Sequence, residues 1–326
     1  MNRTSRPHRS VGRTIVILIA AGVLLYALYG LWGVLDNYRR SREEYDEIRK
    51  EATIIPDSSS DETPEGTGHS EARPLITESS WGYTPGTHPD IDFDRLKKIN
   101  PDIAAWFYMP AFDLSYPIMQ GSDNDEYLHR TYEGTYAYAG SIFMASQNSR
   151  DFSDPNTVVY GHNMRDKSMF GHLRDLYGMK AGSFNPYIWI LTPDGNYCYR
   201  MFSLRHSGNT GVTYTLFYTR DQRFPDWITD RIKESELTFD PLTPSADDYV
   251  LSLSTCDTDH VHRRIVHAVR VLEENTTAAP GLTKPPYIAK NAPGDIRNAA
   301  SSSAQSGVVL SGSGNGGSGE GGADLN

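Results

Sequence analysis

The sequence predicts a mostly β domain, either a barrel or a sandwich with peripheral helices, behind an N-terminal transmembrane helix. Many short apolar runs with strand-like alternation follow one another between residues 90 and 273, and turn residues separate them. Helical patterns are fewer and lie between those runs. An uncharged stretch from residue 14 to residue 35 precedes the domain and has the length that a bilayer-spanning helix needs.

We interpret residues 14–35 as an uncleaved membrane anchor. Arginines precede the stretch, and the polar sequence DNYRRSREEYDEIRKE that follows it offers no small-residue cleavage site. A cleaved signal peptide is the alternative. Arginines also follow the stretch, so the charge asymmetry is weak. Because nearly all of the chain lies C-terminal to it, we expect residues 1–13 in the cytoplasm and a single-pass cell-membrane protein with its domain outside.

The composition divides the rest of the chain into three parts. Residues 36–89 begin with a charged stretch that could be helical and continue into a Ser-, Glu-, Gly- and Pro-rich sequence typical of a stalk or linker. Residues 90–273 are long enough to bury a hydrophobic core. Residues 274–326 are polar and rich in Gly and Ser, which predicts a disordered tail.

Strands and helices of the domain follow from its periodicity and turn residues. The predicted strands lie in LSYPIMQ (114–120), GSIFMA (140–145), NTVVYGH (156–162), YIWILTPDGNYCYRMFSLRHS (187–207, with a hairpin turn at 193–196), YVLSLSTC (249–256) and RRIVHAVRVL (263–272). The predicted helices lie at 92–107, 122–130, 168–178 and 221–237.

The composition also excludes some functions. The formal net charge of -10 argues against nucleic acid as a partner, because phosphate binding needs a concentrated basic face. The two cysteines, Cys198 and Cys256, cannot build a disulfide framework, and we interpret them as free thiols. The His and Asp residues after Cys256 lack the spacing of structural zinc ligands, so we expect no metal and no cofactor.

Residues at strand ends suggest thiol chemistry. Cys256 ends one alternating run and His162 ends another, and a nucleophilic thiol needs such a proton partner. A guanidinium stabilises the charge that develops on a carbonyl oxygen during acyl transfer. Arg263 and Arg264 begin the next run, and since adjacent strand residues point to opposite faces, only one of them can face Cys256. Each residue alone also has an ordinary structural interpretation: a buried thiol, a surface imidazole, solvated arginines.

Together these motifs resemble the sortases, and class B sortases in particular. The sortase signature Thr-Leu-x-Thr-Cys stands here as SLSTC, with Ser252 in place of the first Thr, and an arginine follows before a hydrophobic strand. The segments YPIMQGSDNDEYL, GSIFMASQN and VVYGHNMRDKSMFGHL are similar to class B sequences. So is DQRFPDWITDRIKESEL, where class B enzymes insert a helix before the cysteine strand. The resemblance covers residues 93–272.

The resemblance implies a closed eight-stranded β-barrel and a membrane-anchored cysteine transpeptidase. It implies Cys256 as the nucleophile, His162 as the acid and base, and Arg264, directly before IVHAV, as the arginine beside the oxyanion. The substrate-lining residues that it implies are Asn124, Leu128, Tyr160 and Ser254.

The implied partners are a surface protein with a C-terminal Asn-Pro-x-Thr-like sorting signal and a cell-wall peptide or pilin amine that receives it. A pilus-polymerising class C sortase would usually carry an Asp-Pro-aromatic lid and a C-terminal span, which this sequence does not show. A papain-like peptidase would need a helix-borne Cys near the start of the domain. A catalytically idle binding module on the same scaffold is a further alternative, which the intact Cys, His and Arg argue against.

Overall fold

The computed structural model describes residues 11–54, 81–208, 211–256 and 262–274. The Ser- and Gly-rich part of the predicted stalk and all but the first residue of the predicted tail lie outside these ranges. The predictions for those two segments therefore stay predictions.

Eight strands close into one barrel, which confirms the predicted fold class. The strands are β1 (Ile103–Met109), β2 (Leu114–Met119), β3 (Ile142–Met144), β4 (Asn156–Tyr160), β5 (Tyr187–Leu191), β6 (Asn196–Gly208), β7 (Val250–Cys256) and β8 (His262–Glu274). Around the barrel they follow the order β1-β2-β3-β4-β7-β8-β6-β5. The pairs β2–β3 and β4–β7 are parallel and the other pairs are antiparallel.

Strand β1 differs from the prediction, because the sequence pattern predicts a single helix over residues 92–107. Helix α2 (Phe93–Ile99) occupies only the first half of that range. The second half, IAAWFYM, is strand β1 and is buried on both of its faces. Without an exposed face it lacks the polar–apolar alternation by which half-buried strands are identified.

The other predicted helices differ in outcome. Helix α4 (Arg223–Lys233) confirms the prediction for residues 221–237, whereas α3 (Leu173–Leu176) occupies only four residues of the range 168–178. Residues 122–130 form turns instead of a helix. There the Asp123 side chain accepts hydrogen bonds from the backbone N–H groups of Asp125 and Glu126, at 2.9 and 2.8 Å. Such local bonding competes with helix formation.

Helix α1 (Val11–Ala52) runs without a break from the apolar stretch into the folded domain. Its apolar half is exposed and is long and apolar enough to cross a membrane. Its second half packs on the barrel and buries Tyr45, Ile48 and Ala52. The first part of the predicted linker, residues 36–54, therefore belongs to the folded domain.

Polar contacts also fix α1 to the barrel. The hydroxyl of Tyr45 donates a hydrogen bond to the carbonyl of Gly140 at 2.8 Å and lies 2.9 Å from the hydroxyl of Ser141. Arg49 forms an ion pair with Asp113 at 2.7 Å. Exposed ion pairs contribute at most about 1 kcal/mol, so the buried tyrosine and its apolar neighbours hold the helix in place.

Candidate active site

Two parallel neighbouring strands end together at one edge of the barrel. In the β4–β7 pair Tyr160 is opposite Ser254, and the N–H of Gly161 donates to the Ser254 carbonyl at 3.2 Å. His162 follows Tyr160 by two residues, and Cys256 follows Ser254 by two residues. The register therefore brings the backbone positions of the predicted acid/base and the predicted nucleophile side by side.

A main-chain carbonyl holds the His162 ring. Its Nε2 lies 2.8 Å from the carbonyl oxygen of Leu128. Because a carbonyl can only accept, Nε2 carries a proton and donates it, which leaves Nδ1 as the atom that can take up and release a proton. Burial lowers the pKa of His162, the bond to Leu128 opposes this shift, and the charges of His129 and Arg263 lower the pKa further. The ring is therefore neutral over more of the pH range than an exposed imidazole.

Gly140 makes the position of that carbonyl possible. Its φ is +56°, and a Cβ atom built on it would lie 2.2 Å from the carbonyl oxygen of Leu128. Only glycine combines this backbone conformation with so close an approach at no steric cost. The carbonyl of Gly140 in turn accepts the hydrogen bond of Tyr45 from α1. The support of the His162 ring thus extends to helix α1.

A second imidazole, which was not predicted, covers His162. The ring of His129 stacks on it with the centroids 5.2 Å apart and the planes at 20°. Within the described part of the chain, Nδ1 of His129 is buried and has no hydrogen-bond partner. Tyr136 and Tyr138 pack against the same ring at 6.1 and 6.0 Å. Ten histidines occur in the chain, and no motif around His129 distinguishes it from the others.

The two arginines at the start of β8 have different surroundings. The β7–β8 ladder pairs Cys256 with Arg263 rather than with Arg264, and directly opposite positions of an antiparallel pair share a face. The guanidinium of Arg264 lies over the ring of Tyr177, 5.2 Å from its centroid. The charge of Arg263, in contrast, lowers the pKa of His162. In this register Arg263, and not the Arg264 that the family resemblance implies, is the backbone partner of Cys256, and a shift of one residue would exchange the two arginines.

Tyr160 and Ser254, two of the predicted substrate-lining residues, lie beside each other across the β4–β7 pair. The hydroxyl of Ser254 is 3.0 Å from the hydroxyl of Tyr214, whose ring stacks on that of Tyr160 with the centroids 6.1 Å apart. Tyr214 was not predicted, because it follows β6 in a segment with no motif of its own. The three residues form a polar and aromatic patch next to His162.

Leu128 and Asn124, the other two predicted substrate-lining residues, belong to the turn segment between β2 and β3. Leu128 contacts His162 through its carbonyl oxygen. The side-chain oxygen of Asn124 accepts a hydrogen bond from the backbone N–H of Ser146 at 2.9 Å, just past β3. The structure therefore joins Leu128 directly to the histidine and fixes Asn124 against the neighbouring segment.

Ser252, which replaces the first Thr of the signature, has a structural role below the site. Its hydroxyl donates to the side-chain oxygen of Asn156 at 2.7 Å and lies 2.9 Å from Nδ1 of His267. All three side chains are buried, and burial holds the pKa of His267 well below its usual value. Serine keeps the hydroxyl that these buried polar groups need.

The barrel and the strand ends define a class of protein: a closed β-barrel in which the backbone positions of a cysteine and a histidine adjoin at one rim. The sortase domain model matches residues 107–271, and the chain belongs to the sortase family, whose members are cysteine transpeptidases. This match confirms the resemblance seen in the motifs.

Relatives of known class place the chain near the class B sortases. It is 35% identical to sortase B of Listeria monocytogenes over 170 residues, which are 50% of this chain and 66% of that protein. A crystal structure of sortase B from Bacillus anthracis shares 26% identity with a TM-score of 0.54, over 73% of this chain and 99% of that one. A Staphylococcus aureus sortase B–substrate complex shares 26% identity with a TM-score of 0.50, over 57% and 85%.

Proposed function

We propose that this protein is a membrane-anchored cysteine transpeptidase that cleaves an Asn-Pro-x-Thr-like sorting signal and joins the surface protein carrying it to a cell-wall or pilin amine. The observation that carries the proposal is the parallel pairing of β4 with β7, because it brings the positions of His162 and Cys256 together. The similar sortase B that was solved as a substrate complex supports a substrate of the same class.

In the first half-reaction the thiolate of Cys256 attacks the carbonyl carbon of the signal's Thr. A carbon–sulfur bond forms, and an electron pair moves to the carbonyl oxygen, where the guanidinium of Arg263 stabilises it. Protonated His162 gives its Nδ1 proton to the amide nitrogen while the carbon–nitrogen bond breaks. The C-terminal fragment leaves as an amine, and the surface protein remains bound as a thioester.

In the second half-reaction an amine attacks the thioester carbon. Neutral His162 accepts the amine proton at Nδ1, the carbon–sulfur bond breaks, and the thiolate of Cys256 is restored with a new amide as the product. The lowered pKa of His162 favours this step, because it keeps the ring in the neutral form that acts as a base. The same shift makes the imidazolium needed in the first step a minority species at neutral pH.

The substrate groove in this proposal is lined by Tyr160, Ser254, Leu128 and Asn124, and Tyr214 joins them. The contacts of Tyr160, Ser254 and Tyr214 with one another, and of Leu128 with the histidine, support a continuous binding surface along this rim.

We place the barrel outside the cell, with α1 as a single anchor in the cell membrane. The exposed apolar half of α1 and the arginines that precede it support this topology. Protease added to intact protoplasts should remove the barrel. A barrel that stays fully protected would overturn the orientation.

The covalent step is tested by mass spectrometry of the enzyme with an Asn-Pro-x-Thr peptide and no amine. We expect an acyl adduct on Cys256 that an added Gly-type or diamino-acid amine converts into a new amide. Cys256→Ala and His162→Ala should each abolish most cleavage, and the double variant should be little worse, because residues that act in one step are not additive.

Cys198 provides the matched control. It is a free thiol buried in β6, and burial raises its pKa well above the usual value, so Cys198→Ala should leave turnover nearly unchanged. An active Cys256→Ala variant, or an adduct on Cys198, would refute the proposed nucleophile.

A further inference from the structure

We propose that Tyr136 and Tyr138 form a second membrane contact, with their loop resting in the lipid headgroup layer beside α1. This inference rests on the anchoring role of α1 in the proposed function. The two side chains are 72% and 55% exposed, although neighbouring Ala137 and Ala139 are buried. Tyrosine is enriched where a ring meets lipid and a hydroxyl meets water.

Helix α1 fixes the height of this loop. The side-chain oxygen of Asn37 accepts a hydrogen bond from the backbone N–H of Tyr138 at 3.0 Å, and the ring of Tyr38 stacks on that of Tyr138 with the centroids 6.4 Å apart. Asn37 lies two residues beyond Leu35, the end of the apolar stretch, which is about 3 Å along the helix. The headgroup layer is about 5–7 Å thick on each side of the bilayer. Tyr138 is therefore at headgroup height.

The loop runs along α1 toward the membrane. At its start the hydroxyl of Tyr132 donates to the backbone carbonyl of Glu44, at 3.3 Å, and at its end Tyr138 meets Asn37. These two positions on α1 are about 10 Å apart along the helix axis. The acidic residue of the loop, Glu133, lies at the upper end, where its charge acts on Tyr132, and the exposed tyrosines follow it. The end of the loop nearest the bilayer therefore exposes aromatic rings, and at this height their contact partner is lipid.

This contact lies close to the candidate active site. Tyr136 and Tyr138 both pack against His129, and His129 stacks on His162. Two ring contacts therefore lead from the headgroup layer to the proposed acid and base. We expect a substrate that is itself tethered to the membrane to reach the site along this side.

The inference is tested by nitroxide depth measurements on the full chain reconstituted in phosphatidylcholine–phosphatidylglycerol liposomes. A Cys256→Ala background leaves Cys198 as the remaining thiol, and it is fully buried. Single labels are placed through Tyr26→Cys in α1 and Tyr136→Cys in the loop. Thr135→Cys repeats the loop measurement with both tyrosines in place. Collision rates with lipid-soluble oxygen and with a water-soluble nickel chelate report the depth of each label.

Asp94→Cys is the aqueous control. Asp94 is exposed in α2, and its neighbour Asp92 donates from its backbone N–H to the carbonyl of Ala52 at 2.9 Å. Ala52 lies about 26 Å beyond Leu35 along α1, which is well outside the headgroup layer. A label at this position should therefore collide freely with the nickel chelate.

We expect the Tyr26 label to read as deep and the two loop labels to show an oxygen-to-nickel collision ratio several-fold above that of the Asp94 label. If the Tyr26 label is deep but both loop labels match the Asp94 label, the second contact is refuted and the anchor stands. If the Tyr26 label also reads as aqueous, the anchor fails and the second contact fails with it.

Discussion

Alanine substitution of Arg263 and of Arg264, each in turn, tests which of these two arginines at the start of β8 stabilises the oxyanion. Arg263 pairs with Cys256 in the ladder, and its charge acts on His162. Arg264 instead lies over the ring of Tyr177, 5.2 Å from its centroid. We therefore expect Arg263→Ala to impair catalysis and Arg264→Ala to affect mainly stability.

The expected magnitudes differ enough to be decisive. Loss of one oxyanion contact raises the barrier by about 3–4 kcal/mol, a fall in kcat of roughly 10²–10³-fold. Loss of a partly exposed guanidinium–ring contact lowers the free energy of unfolding by about 0.5–1 kcal/mol. Arg263→Ala also removes a positive charge near His162, which raises the pKa of that imidazole. The limb of the pH–rate profile that His162 controls should then move to higher pH.

The assay is transpeptidation of an Asn-Pro-x-Thr peptide with an amine acceptor, followed across the pH range in which His162 titrates, together with urea unfolding of each variant. Arg263→Lys keeps the charge but loses the planar fork, so it should keep the wild-type pH limb and recover only part of the rate. A larger rate loss and a shifted limb in Arg264→Ala, with Arg263→Ala near wild type, would refute the register argument and support the assignment that the family resemblance implies.

Three further predictions concern the support of the site. Gly140→Ala should reduce kcat by about 10–10²-fold, because a Cβ would displace the carbonyl of Leu128. The control is Gly134→Ala: Gly134 also has a positive φ, +83°, but open space surrounds it, so this variant should leave kcat unchanged. Ser252→Ala should lower the free energy of unfolding by about 1–3 kcal/mol in urea titrations, and Ser252→Thr should lower it less. Since His267 is neutral when folded and protonates when unfolded, unfolding free energies should fall below about pH 6.5, and less steeply in His267→Gln.

The strands that alternate or end in turn residues could be predicted from the sequence, and β1 could not. Ile103, Trp106 and Phe107 have the i, i+3, i+4 spacing of an amphipathic helix, yet all three are fully buried in a strand. A strand inside a closed barrel that is covered on its outer face also has no polar positions to reveal its period of two. Residues 103–109 form a strand because the rest of the chain buries them, and a local sequence pattern carries no information about that burial.

For the candidate site, the sequence predicts which residues stand at the ends of strands. The positions of His162 and Cys256 follow from two apolar runs that stop at the same rim. The choice between Arg263 and Arg264 depends on how β8 is aligned against β7, since a shift of one residue exchanges the two, and no local sequence pattern specifies that alignment. His129 reaches the site only because the β2–β3 segment folds back over it, a long-range contact without a local signal.

Helix α1 continues without a break into the folded domain, and this continuity limits the space in which the barrel can meet a substrate. A domain on a flexible tether explores a volume whose radius grows with tether length, and its effective concentration toward one target falls accordingly. Here one helix continues from Leu35 into the packed segment that ends at Ala52. With α1 anchored in the membrane as proposed, the barrel stays at one height above the bilayer, and lateral diffusion gives it access only to a thin layer at that height. Under the proposed function, a sorting signal would be processed only if the spacer that carries it presents it within that layer, so spacer length would select substrates in addition to the motif.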